Sequence, residues 1–139
     1  LWDEVRQVAA ALQARGVTKG TKVALLLPNC PAYVRYYFAT LLCGGTIVNL
    51  NPLYTAHEIA AYVAQVDAAY IVTLNFKKLV DKVLPLCGQT SVKHVITASL
   101  ADDLPPVTRI GFYLTKAREL SYRRSNQLWR DADLRKGVA

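Results

Sequence analysis

Four short apolar runs begin near residues 23, 46, 69 and 93, and segments with apolar residues at helical spacing separate them. This near-even alternation limits the available folds more than any other feature of the chain. Runs this short read as strands, and Val23 to Leu27 is apolar throughout, as expected of a strand covered on both faces. Strands joined through helices predict right-handed crossovers and a mainly parallel sheet covered by helices, an α/β fold. Corresponding side chains of successive units do not match, so the regularity is architectural and not a duplicated sequence.

Leu1, Val5, Val8, Ala9 and Leu12 recur at helical spacing, and Gly16 is placed to stop that helix before the Lys19-Gly20-Thr21 turn. After the first strand, Pro28-Asn29-Cys30-Pro31 offers Asn29 or Cys30 as a helix cap. Val34, Phe38, Leu41 and Leu42 are the expected buried face of that second helix, which Gly44 closes. Thr46 to Leu50 suits a buried strand, and Pro52, without an N–H, forces the chain out of the sheet. Thr55 and Glu58 have the spacing of a capping box, with Tyr54 and Ile59 as the accompanying hydrophobic staple. Ile59, Tyr62, Val63 and Val66 line the third helix, and Ala69 to Thr73 form the third strand. Asn75 is read as the cap of a fourth helix whose inner face is Leu79, Val80, Val83, Leu84 and Cys87, and Val92 to Thr97 as the fourth strand.

The chain changes character near residue 100. We divide it into an α/β part, residues 1–100, and a linker with a basic, partly helical extension, residues 101–139. Residues 1–106 hold nine Lys/Arg against seven Asp/Glu, whereas residues 107–139 hold eight against three, so +5 of the +7 net charge sits in the tail. Ile110, Tyr113, Leu114, Ala117 and Leu120 keep helical spacing, and beyond Ser121 the sequence assigns no element. Two readings of the tail stay open: Arg118, Arg123 and Arg124 seat the protein on anionic lipid, or the tail is a solvated face with Asp131 and Asp133 compensating. Nucleic acid is not expected as a partner, because Tyr113, Tyr122 and Trp129 form no stacking module.

A chain of 139 residues, 53% hydrophobic and 19% charged, suits a soluble globular protein. No apolar run approaches the roughly 20 residues that span a bilayer, and no secretory signal opens the chain. Cys30, Cys43 and Cys87 lack any CxxC pattern, which fits reduced thiols and a cytoplasmic setting, with peripheral membrane contact as the variant the basic tail suggests. The chain has no methionine and Leu1 already lies inside a helical stripe, so we expect a piece of a longer protein that self-associates where its partner surfaces are missing.

The catalytic inventory is sparse. No GxGxxG or GxxxxGK[ST] occurs, and Gly44-Gly45 reads as a helix stop, not a phosphate cradle. His57 and His94 have no carboxylate or cysteine at metal-ligand spacing and read as structural or exposed. Cys30 alone among the thiols is placed where a helix N-terminus would favour a thiolate. Ligands of open parallel sheets sit beyond the carboxyl ends of the strands. Asn29, Asn51, Asn75 and Ser99 gather there, and caps and turns account for them without a ligand. No catalytic, cofactor-binding or metal-binding residue is assigned.

Asn51-Pro52-Leu53-Tyr54-Thr55, preceded by Gly44-Gly45-Thr46-Ile47-Val48-Asn49, resembles the NPLYT region of long-chain fatty acid–CoA ligases of the adenylate-forming superfamily. The stretch from Gly16 to Gly45 resembles the segment that precedes it, and the match runs from about Leu1 to Thr97. The resemblance implies an enzyme that joins a fatty acid to ATP as an acyl-adenylate, releases pyrophosphate and passes the acyl group to CoA, with Mg²⁺ assisting. It also implies a Ser/Thr/Gly-rich loop ending in Lys, an adenine-binding aromatic motif, a ribose-binding Asp and a lysine in a mobile C-terminal domain. None of these motifs is found in the chain, so the piece is expected to be inactive alone and to bind no ATP-Mg²⁺ in the micromolar range. A ligase for an aryl, medium-chain or amino acid, or a non-catalytic binding or assembly module, remains the alternative.

Overall fold

A computed structural model describes residues 1–136. Five parallel strands, β1 (Lys22–Leu26), β2 (Thr46–Asn49), β3 (Tyr70–Leu74), β4 (His94–Ala98) and β5 (Leu128–Arg130), form one sheet in the order β2-β1-β3-β4-β5. The helices are α1 (Trp2–Ala14), α2 (Pro31–Leu42), α3 (Ala56–Val66), α4 (Lys77–Val83), α5 (Pro106–Lys116) and α6 (Asp131–Lys136).

The apolar runs alternate between two cores because successive strand residues face opposite sides of the sheet. Val23, Leu25, Tyr70, Val72 and Ile96 pack with Val5, Val8 and Leu12 of α1, Ala32, Tyr36 and Ala39 of α2, and Leu134 of α6. Ala24, Leu26, Ile71 and Val95 pack with Ile59 and Val63 of α3 and with Val80 and Val83 of α4. The central strands β1 and β3 are thus buried on both faces, as their largely apolar sequence requires, with the buried Thr73 hydroxyl donating to Leu26 O at 3.0 Å.

The stop signals work as read. At the end of α1 the Val17 amide donates to Leu12 O and Gly16, at φ 101°, to Gln13 O, closing the last turn through a left-handed glycine. Thr55 and Glu58 form the capping box, the Thr55 Oγ1 accepting from the Glu58 amide at 3.1 Å. Asn51 makes a turn, its Oδ1 accepting from the Leu53 amide at 2.9 Å.

Several expectations need correction. α2 does not bury Phe38, Leu41 and Leu42, each close to half exposed. It docks through Ala32, Arg35, Tyr36, Ala39 and Thr40, because small residues let it approach α1 until Cys43 Sγ lies 3.3 Å from Ala9 O. β2 is an edge strand with no fully buried residue, since the chain reverses direction across the sheet and places β3, not another unit, beside β1. In α3 only Ile59 and Val63 are buried; Tyr62 turns outward and stacks on Tyr54 at 5.2 Å. Elements occur beyond Ser121 where the sequence assigns none: Leu128–Arg130 adds the fifth strand and Asp131–Lys136 a short helix.

Candidate functional site

The order β2-β1-β3-β4-β5 reverses direction at β1/β3, and in such sheets ligands collect at the carboxyl ends of the strands around that point. That edge is occupied by a polar layer built from the first two turns of α2. Pro31 occupies the first turn of α2, where a missing N–H costs nothing, and the helix then supplies a partner to residues at or beyond the ends of β2, β4 and β5. The Tyr33 hydroxyl donates to Asn49 Oδ1 at the end of β2 (2.9 Å). Arg35 Nη1 and Nη2 donate to the two carboxylate oxygens of Asp103, beyond β4, at 2.7 and 3.4 Å. The Tyr36 hydroxyl donates to Asp131 Oδ1, directly after β5, at 2.5 Å. Asp131 also accepts from Arg135 Nη1 at 3.5 Å.

Arg35 is 1% exposed and Asp131 2% exposed, so both charges depend on these partners. Burial would lower the Arg35 pKa, but the hydrogen bond and negative charge of Asp103 outweigh it and hold the guanidinium above its ordinary value. Burial and the charge of Asp131 push the Tyr36 hydroxyl well above the usual phenol range, which keeps it a neutral donor.

Two hollows flank this layer. One, of about 250 Å³, lies beyond β3, β4 and β5 and is lined by Asn75, Thr97, Ser99, Arg123, Arg130 and Asp131, among others. Its rim is closed by the segment after α5: the Ser121 amide donates to Asn75 O at 2.7 Å, and Leu120 bridges to Phe76. The other, of about 500 Å³, is an open groove between the ends of β1 and β2, lined by Asn29, Tyr33, Asn49 and Asn51.

The expected caps fare unevenly. Neither Asn29 nor Asn75 is a cap; Cys30 and Phe76 occupy the N-cap positions of α2 and α4 without a side-chain hydrogen bond. Asn75 Oδ1 and Ser99 Oγ are buried without a hydrogen-bond partner among the described residues, and both side chains line the hollow beyond β3, β4 and β5. His57 is exposed on the first turn of α3. His94 lies at the opposite, amino end of β4, its ring stacked 3.7 Å from that of Trp129 and 6.0 Å from that of Tyr70. Burial, and then the charges of Lys93 and Arg15, lower its pKa, so it acts as a neutral aromatic plate. Burial raises the Cys43 and Cys87 thiols above their ordinary value, away from nucleophilic use. Among the described residues no three His, Cys, Asp or Glu side chains cluster as metal ligands would.

The principal polar residues of the edge, Tyr33, Arg35, Tyr36, Asp103 and Asp131, escape a reading by motif. One signal for them exists in the sequence: Arg35 interrupts the otherwise apolar and aromatic run from Ala32 to Ala39, and a charge on a docking face needs a buried counter-charge. Among the described residues, the buried side chains of this edge leave no cation free for a nucleoside triphosphate. The buried cation is committed to Asp103, Arg123 is paired with Asp81, and no glycine-rich loop lies there.

Fold and edge together define a doubly wound α/β scaffold whose carboxyl edge is braced by its own side chains. The chain belongs to the family of AMP-binding enzymes, whose family model matches residues 1–127. It is 35% identical over 114 residues to a long-chain fatty acid–CoA ligase of Bacillus subtilis, covering 82% of this chain and 20% of that protein. It is 39% identical over 106 residues to the Salmonella typhimurium long-chain fatty acid–CoA ligase, covering 75% and 18% respectively. A crystal structure of a long-chain fatty acid–CoA ligase from Archaeoglobus fulgidus superposes with a TM-score of 0.62 at 26% identity, over 68% of this chain and 18% of that one. The chain spans about a fifth of the length of these relatives.

Proposed function

We propose that the protein is a long-chain fatty acid–CoA ligase, and that residues 1–139 form part of its N-terminal scaffold without catalytic groups of their own. In this reading the enzyme couples a fatty acid to ATP, with Mg²⁺ assisting, to give an acyl-adenylate and pyrophosphate, then transfers the acyl group to CoA. The observation that carries it is the 35–39% identity to two bacterial enzymes of that name. The braced edge supports the division of labour: its buried charges, Arg35 and Asp131, are engaged by Asp103 and by Tyr36 with Arg135. Residues 101–139 are the extension, and its part from residue 107 onward carries +5 of the +7 net charge.

A second reading has its own support. The chain is also 35% identical over 104 residues to a probable 4-coumarate–CoA ligase of Dictyostelium discoideum, so the acid could be aromatic. Activity of the full-length protein on a panel of acids decides. CoA thioester formation favouring long acyl chains is expected; preference for an aryl or short acid selects the second reading. No ATP-dependent thioester formation with any acid leaves a binding or assembly module. For residues 1–139 alone, titration with ATP-Mg²⁺ is expected to give no saturable micromolar binding, and such binding would place a nucleotide site inside this stretch.

A further inference from the structure

α5 leaves an apolar stripe in solvent. Val107, Ile110 and Leu114 are 83%, 63% and 82% exposed, and at 3.6 residues per turn they fall within a sector of about 60° on one side of the helix. The stripe is not what attaches α5 to the molecule. Phe112, on another side, meets Phe76 edge-on with ring centroids 6.5 Å apart, and Arg109 donates to Ala101 O at 2.9 Å and Leu104 O at 3.3 Å. Among the described residues the helix is therefore docked by one face and presents an apolar face outward.

The C-terminal end of that helix is cationic. Lys116 lies at the end of α5, Arg118 in the single turn that follows it, and Arg124 shortly after; all are exposed. Among the described residues Arg118 and Arg124 make no ion pair, while Glu119 is engaged by Lys116 at 3.5 Å and Asp103 by Arg35. Asp102, on the turn before α5, is the remaining exposed acid of residues 100–127. Tyr122, 64% exposed, folds back so that its hydroxyl donates to Ala117 O at 3.2 Å, which holds an aromatic ring beside the basic end of the helix. Outward aliphatic side chains, flanking arginines without counter-ions and an amphipathic ring at the boundary are the requirements of a helix lying in the plane of a lipid surface.

We propose that α5 is an interfacial helix that seats the protein on anionic lipid, with Val107, Ile110 and Leu114 entering the acyl boundary and Arg118 and Arg124 at the headgroups. Arg123, one of the three arginines expected to serve this role, is instead tied to Asp81 at 3.0 Å and is left out of the assignment. The proposal goes beyond the ligase reading and does not depend on it, because binding is measured without turnover.

The test is sedimentation of the intact protein with vesicles of phosphatidylcholine alone or with added phosphatidylglycerol. Binding to the anionic vesicles only, weakened by salt, is expected. Arg118→Gln with Arg124→Gln should lower partitioning about fivefold per arginine, the equivalent of about 1 kcal/mol each. Ile110→Ser with Leu114→Ser should lower it at least about tenfold, and far-UV circular dichroism should be unchanged because both positions are exposed. No binding of the wild-type protein to anionic vesicles overturns the proposal, as does binding that either double variant leaves intact. A wild-type dimer in the absence of lipid that Ile110→Ser/Leu114→Ser converts to monomer would make the stripe a protein interface and would equally overturn it.

Discussion

Removing the Asp103 carboxylate tests whether the buried charge of Arg35 is held up by one partner. At 2.7 Å, two unit charges attract by about 6 kcal/mol at an effective dielectric of 20, an attraction largely offset by desolvation of both groups. Asp103→Ala withdraws the attraction and leaves the desolvation in place, so a guanidinium 1% exposed stays buried and unmatched. The expected cost is about 3–5 kcal/mol. With a urea slope near 2 kcal/mol per molar, that is a fall of roughly 2 M in the unfolding midpoint. Arg35→Met removes the charge while keeping much of the volume, and in that background Asp103→Ala should cost less than about 1 kcal/mol. Equilibrium urea unfolding, followed by the fluorescence of Trp2 and Trp129, measures all four proteins of the cycle. Equal costs for Asp103→Ala in both backgrounds, or a cost below about 1 kcal/mol in the wild type, would refute the reasoning and mean that water reaches Arg35.

Tyr36→Phe deletes the hydroxyl that donates to Asp131 and should destabilise the protein by about 1–3 kcal/mol in the same unfolding assay. Gly45→Ala should lower the thermal midpoint, because a Cβ there would lie 2.9 Å from Thr40 Cγ2 and 3.0 Å from Thr21 O; an unchanged midpoint would mean the α2–β2 turn yields freely. His94, depressed in the folded state, is neutral in both states above its ordinary pKa of about 6.5. As pH falls through that value the unfolded chain takes up the proton first, so stability should decline towards the lower folded-state pKa and then level. His94→Phe keeps the ring stack and should abolish that segment of the pH–stability curve.

The strand positions were legible because a strand buried on both faces is apolar nearly throughout, and β1, β3 and β4 follow that rule with Thr73 and Thr97 as their buried polar residues. The turns were legible for a similar reason: Gly16 at φ 101° and the Thr55–Glu58 box meet local requirements that few residue types satisfy. Helix faces were harder. Large apolar residues point to Phe38 and Leu41 as the buried side of α2, yet the close approach of α1 selects Ala32 and Ala39 and turns Phe38 and Leu41 outward. β5 was missed because Leu128–Arg130 is too short to carry a periodic signal and is fixed by pairing with β4. The polar layer was missed for the same kind of reason, since Tyr36–Asp131 joins residues 95 apart in the chain and no local pattern encodes such a pair.

These long-range pairs also bear on where the chain can be divided. The composition changes near residue 100, yet the partners of Arg35 and Tyr36 both lie beyond it, at Asp103 and Asp131. So does β5, which covers one edge of β4, and so does Leu134, which is 2% exposed in the core shared with α1 and α2. A chain ending at residue 100 would keep every helix and strand of the β/α alternation but would hold a buried guanidinium without a carboxylate. It would also expose an apolar strand edge as a template for pairing. We therefore expect residues 1–100, expressed alone, to lose cooperative thermal unfolding or to aggregate, whereas residues 1–136 unfold in one transition. Adding Arg35→Met to the shorter chain should recover part of the loss by removing the unmatched charge, leaving the open edge as the remainder. A soluble, cooperative 1–100 chain with the thermal midpoint of the longer one would show that the charge change, and not the buried pairs, marks the physical boundary.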